Sequence, residues 1–180
     1  MNDYPQKRRW IAFAGAALAV AAGLLGPPAA HAQGSGPFRI QKDPMNDKPT
    51  YTADIVENDS GTISFHCGDA TGRNLWISAK QRKLLIADRS GFGGSFATKI
   101  RFDDRAPIDI RISYGDYAGL IRGDKQVGPL IDQMLISSRI VLELTGHNGA
   151  DLYIAGPITD DARAAVREVV TRCGYVFGKK

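Results

Sequence analysis

The residues whose number and spacing most constrain their chemistry are the two cysteines, Cys67 and Cys173. In an oxidising compartment they form one disulfide closing a loop of 106 residues. The chain-entropy model values such a bridge at about 4–5 kcal/mol. The alternatives are two buried free thiols or a thiol site, but no Cys-x-x-Cys pair and no neighbouring His/Asp arrangement favours redox chemistry. Histidine is scarce: His66 and His147 lie in the body of the chain and His31 near its start. His66, Asp69 and His147 have the right types for a metal site but no compact ligand spacing, so neither metal nor cofactor is expected. A serine hydrolase would need Ser95 or Ser113 to meet His147, and no G-x-S-x-G elbow is present. The acid pairs Asp103-Asp104 and Asp160-Asp161 are adjacent in sequence and suit turns or helix caps. Gly91-Phe92-Gly93-Gly94 lacks the Lys-Ser/Thr ending of a phosphate loop and reads as a loop tip. No catalytic residue is assigned.

The compartment follows from the first residues. Lys7, Arg8 and Arg9 form a positive head, residues 10–25 are nearly all small or apolar, and Ala30-His31-Ala32 is a small-x-small cleavage site. That order reads as a bacterial secretory signal peptide over residues 1–32. The apolar run is short for a membrane span and is interrupted by Gly26-Pro27-Pro28, so no stable transmembrane anchor is expected after cleavage. No acylatable cysteine follows it. Removing the leader takes 23 basic and 19 acidic residues to 20 and 18, so the net charge of +4 becomes +2. A charge this small gives no case for nucleic-acid binding, and the one basic cluster, Lys80-Gln81-Arg82-Lys83, reads as a solvated turn. The expected location is periplasmic or secreted.

Residues 33–49, rich in Gly, Pro, Asp and Lys, read as a flexible lead-in that ends in a short edge strand at Phe38-Arg39-Ile40. Residues 50–180 form a single exported domain, large enough for one hydrophobic core. Strands are predicted over 51–56, 62–67, 75–77, 84–87, 96–102 and 108–112, because their apolar residues alternate and are separated by polar turns. In 62–67 the alternation puts Ile63, Phe65 and Cys67 on the core face. Trp76 reads as an interior or half-buried strand residue ahead of a ligand-stacking platform. Val127, Leu130, Ile131, Met134 and Leu135 recur at helical spacing, with Gly128-Pro129 expected at the helix entry. Strands over 139–145 and 151–155 flank the turn Gly146-His147-Asn148-Gly149. A last helix is capped by Thr159, helped by Asp160 and Asp161, and lines Ala162, Val166, Val169, Val170 and Cys173 on its apolar face. The fold class is therefore α+β: one small domain with a mainly antiparallel sheet, a middle helix and a disulfide-tied C-terminal helix.

Thr62-Ile63-Ser64-Phe65-His66-Cys67, then Leu75-Trp76-Ile77, the helix around residues 129–135, the strands reaching Leu144 and Gly156, and the helix ending at Cys173 form a familiar ordering. It resembles the periplasmic domain of the type VI secretion-associated and invasion-associated group of small exported bacterial proteins. The resemblance spans residues 51–175 and departs from the group between residues 84 and 112. It implies a small β-rich α+β domain with a cysteine pair and no established catalytic residues. The leading functional expectation is a noncatalytic protein-interaction or assembly domain of the envelope with an envelope or secreted protein partner. Phe92, Tyr114 and Tyr117 are its candidate contacts. A periplasmic small-ligand-binding protein, or a hydrolase with an unrecognised site, is the alternative. Mass analysis of the chain recovered from a bacterial periplasm should find Gln33 as the first residue and a nonreduced peptide joining Cys67 to Cys173. An intact leader, or two thiols that alkylate without reduction, would reject the respective reading.

Overall fold

The computed structural model describes residues 36–42, 47–68, 74–85 and 94–175. Among the described residues nine strands and two helices follow in the order β1 (Phe38–Lys42), β2 (Pro49–Asn58), β3 (Gly61–Cys67), β4 (Leu75–Lys80), β5 (Phe96–Phe102), β6 (Ile108–Tyr114), β7 (Ala118–Arg122), α1 (Asp124–Ile136), β8 (Arg139–Thr145), β9 (Asp151–Pro157) and α2 (Asp160–Arg172). The strands make one sheet in the order β1-β2-β3-β4-β7-β6-β5-β8-β9, with every neighbouring pair antiparallel. Cys67 and Cys173 are joined by a disulfide that ties the end of α2 to the end of β3. The α+β class expected from the sequence is the one observed.

Four elements differ from the sequence expectation. β1 extends through Lys42, inside the stretch read as a lead-in. Instead of a strand starting at Leu84, Leu85 makes an isolated bridge to Gly146, and residues 86–87 lie outside the described residues. β7 was not anticipated, and α1 begins at Asp124, which leaves Pro129 inside the helix instead of at its entry. There Pro129 has no N–H to offer the carbonyl four residues back, so packing holds this part of the helix. Val127, Leu130, Ile131 and Met134 are buried from it.

One face of the sheet supplies the core. Ile63, Phe65 and Cys67 of β3, Ile77 and Ala79 of β4, Ile112 and Tyr114 of β6, and Leu142 and Leu144 of β8 are all fully buried. Each large apolar side chain so buried contributes roughly 1.5–3 kcal/mol of transfer free energy before entropy is charged against it. α2 adds Ala162, Val166, Val169 and Val170. Its start is capped by Thr159, whose hydroxyl accepts from the Ala162 N–H at 3.1 Å. Arg163 fixes the same end by donating to the carbonyls of Ser137 and Ile158, both at 2.8 Å, so the ends of α1 and β9 share one guanidinium.

The sheet bends at β6, whose first residues pair with β5 while Ser113 and Tyr114 pair with β7. β9 is thereby brought against β2 and β3 without forming a ladder with them. Asn58 Nδ2 donates to the Ala155 carbonyl at 2.9 Å across this closure. Two glycines permit the approach. A Cβ on Gly156 would lie 2.7 Å from Val56 Cγ1, and one on Gly61 would lie 2.3 Å from the Lys80 carbonyl oxygen and 2.8 Å from Ile154 Cδ1. Gly61 also has φ 140°, a conformation that L side chains rarely adopt. Gly61→Ala should therefore cost roughly 2–4 kcal/mol, measured as a fall in the urea midpoint. Gly149→Ala, strained in φ but with open space around it, should cost only about 1 kcal/mol. Equal losses in the two variants would count against the closure.

Candidate functional site

Directly opposite residues on neighbouring strands share a face, so the register assembles a polar row on the side of the sheet away from the core. Arg39 of β1 lies opposite Thr52 of β2, Thr52 opposite His66 of β3, His66 opposite Trp76 of β4, and Trp76 opposite Arg122 of β7. A second row on the same face runs Asp54, Ser64, Ser78, Leu120.

The polar atoms of the two rows satisfy one another. His66 Nδ1 lies 2.9 Å from Thr52 Oγ1 and its Nε2 lies 2.7 Å from Ser78 Oγ. Asp54, only 8% exposed, accepts from Ser64 Oγ at 2.7 Å and pairs with the Arg39 guanidinium at 2.6 Å. The His66 ring stacks on the Trp76 indole with centroids 5.1 Å apart and planes 10° from parallel. Burial is the main cause that pushes the His66 pKa down to about 4. The Lys80 and Arg39 charges act in the same direction, and Asp54 opposes them.

The Ser78 and His66 pair has the separation of a nucleophile and its base, yet its surroundings do not suit acyl transfer. Where a triad places a carboxylate on the second ring nitrogen, His66 meets the neutral hydroxyl of Thr52. Burial outweighs the attraction of Asp54 for an imidazolium, in keeping with the depressed pKa. Asp54 is committed to Arg39 and Ser64, and Ser78 is 5% exposed on a sheet face. The network is a neutral, hydrogen-bonded support beneath the indole.

Beyond Trp76 the face opens into a cleft of about 430 Å³ lined by Asn74, Leu75, Trp76, Arg122, Gly123 and Asp124. A smaller hollow of about 220 Å³ lies over β5 and β8, bordered by Arg101, Glu143 and the exposed Tyr153. Among the described residues no group of three His, Cys, Asp or Glu side chains is placed to hold a metal ion.

The residues proposed from sequence as contacts separate. Tyr114 is corrected: it is fully buried, because β6 runs through it with the same parity as Ile110 and Ile112. Its ring packs on Phe96 with centroids 5.5 Å apart, and its hydroxyl accepts from the Thr145 N–H at 3.1 Å. Phe92 lies outside the described residues. Tyr117 is 53% exposed, and the backbone joins it to a residue that the sequence reading passed over, Leu84, which is 47% exposed. Gln81 N–H donates to the Tyr117 carbonyl at 2.9 Å, Leu85 N–H to Asp116 at 2.8 Å, and His147 N–H to Leu84 at 3.0 Å. These bonds set Tyr117, Leu84 and the exposed His147 turn along one rim.

Compared with protein-family models, curated proteins and solved structures, the chain matches none of them.

A pH test follows from His66. In the unfolded chain its pKa lies near 6.5, so between about pH 6.5 and 4 the unfolded state binds the proton that the folded state refuses. Stability should fall as pH is lowered through that window, by on the order of 2–3 kcal/mol, and level off below it. Urea midpoints against pH check this. His66→Gln should remove that part of the slope, and an unchanged slope in the variant would assign it elsewhere.

Proposed function

We propose that this chain is an exported, noncatalytic domain of the bacterial envelope that binds a protein partner through the rim of Tyr117 and Leu84. The observation that carries the reading is the placement of two large, exposed apolar side chains on adjoining segments joined by backbone hydrogen bonds. Large apolar side chains left exposed on adjoining segments cost solvation unless a partner covers them, and aromatic residues at such points dominate binding energy. Export is supported by the tripartite leader, the small-x-small site before Gln33 and the cysteine bridge. No helix among the described residues is long and apolar enough to cross a membrane. The resemblance to the secretion- and invasion-associated exported proteins points the same way. The noncatalytic reading rests on the committed polar atoms around His66, where the Ser78–His66 pair lacks both access and a carboxylate orienter.

The test is site-specific photocrosslinking in living cells. A photoreactive residue at position 117 or 84 should give one shared adduct, while the same residue at exposed position 167 on α2 should not. Excess unlabelled protein should compete the adduct away, and the variant Tyr117→Ala should compete about tenfold more weakly. Adducts shared with position 167, or competition that ignores Tyr117, would refute the rim.

A further inference from the structure

We infer that the cleft beside Trp76 is a carbohydrate-binding subsite, in which the indole face opposite His66 carries a sugar ring and Arg122, Asp124 and Asn74 bind its hydroxyls. It is separate from the Tyr117 rim and does not depend on that reading.

The indole is positioned before any ligand arrives. On the β3 side His66 stacks against it, and the imidazole is itself held by hydroxyls at both ring nitrogens. The six-membered ring rests over Gly68, where an added Cβ would come within 3.0 Å of Trp76 Cζ3. His66 thus backs one face of the indole and Gly68 lies against its six-membered ring, while Trp76 and Arg122, opposite each other on β4 and β7, both line the cleft. A binding site that keeps an aromatic plane fixed in this way avoids an ordering cost on association.

The lining selects the ligand class. An indole face offers apolar area with a negative quadrupole, which suits the polarised C–H groups on one side of a pyranose. A guanidinium donates in a planar fork and a carboxylate accepts at two oxygens, so Arg122 and Asp124 together suit adjacent hydroxyls that both donate and accept. Among the described residues neither side chain is committed to an ion pair, and both are exposed. Their opposite charges disfavour a simple anion, which Asp124 repels, and a simple cation, which Arg122 repels. A neutral polyol with an apolar side meets all of the lining groups, whereas either ion meets only some of them.

The chain contains two tryptophans, Trp10 and Trp76, so Trp10→Phe leaves Trp76 as the only indole emitter. In the full chain carrying that substitution, titration with an N-acetylglucosamine tetramer and with maltohexaose should give a saturable change in tryptophan emission below about 10 mM. A response to the tetramer alone assigns amino-sugar glycans, a response to maltohexaose alone assigns neutral glucans, and either supports the subsite. Arg122→Ala and Asp124→Asn should each weaken the response at least about fivefold while the circular dichroism spectrum stays the same. The inference is overturned by no saturable response to either sugar. It is also overturned by the same affinity in both variants, or by saturation with inorganic phosphate or tetramethylammonium in place of the sugars.

Discussion

The bond between Cys67 and Cys173 determines which way β3 faces. A strand side chain can point only to one side or the other, so binding Cys67 to the inward-facing end of α2 sends Phe65 and Ile63 inward with it. Ser64 and His66 must then face outward. Register carries that choice to β2 and β4, where Thr52, Asp54, Trp76 and Ser78 take the same outer side. A slip of one residue in this ladder would bury His66 and Asp54 in the core and expose Phe65 and Ile77, which hydrophobic transfer alone forbids. The polar rows are thus a consequence of the core.

Those rows solve a problem that the curled sheet creates. Asp54, Ser64 and Ser78 are close to fully covered by their neighbours, so each must find a partner within the face or carry a desolvation penalty of roughly 1–3 kcal/mol. Arg39 and Ser64 serve Asp54, and His66 serves Ser78 and Thr52. An imidazole suits the second task because its neutral form carries one donor and one acceptor on opposite sides of the ring. The same burial that needs the hydrogen bonds keeps the ring neutral, and a neutral flat ring is what an indole stacks against.

Much of the architecture could be read from residue order because alternation and turn chemistry agree in the long strands. β3, β5, β8 and the cap of α2 fall where Ile63, Phe65 and Cys67, the alternation through Phe102, the run from Arg139 and the Thr159 signal place them. β7 escaped because Ala118-Gly119-Leu120-Ile121-Arg122 offers little bulk. Gly119 is there because a Cβ would lie 2.4 Å from Ile112 Cδ1, a neighbour that only the fold supplies. Tyr114 looked like part of an aromatic turn since Gly115 follows it, while its partners Phe96 and Thr145 are distant in sequence. The outer-face cluster was visible only as parity: Thr52, Asp54, Ser64, His66, Trp76 and Ser78 all take the positions left over by the core. What joins them is register, and no single strand encodes register.

The two proposed surfaces are held by different means, and this bears on how each would bind. The row from Arg39 to Arg122 crosses five strands, so its spacing is set by four ladders and cannot change without breaking sheet hydrogen bonds. The rim of Leu84 and Tyr117 hangs on a few backbone bonds between connecting segments. Segments with few bonds open at a lower free energy than ladder strands, and they can shift to fit a partner whose shape is not fixed in advance. A fixed plane suits a ligand with one geometry, and a yielding rim suits a surface that must be matched. One sheet provides both because α1 and α2 help seal its inner side, while Arg122 stays exposed on the outer one and Tyr117 at its rim.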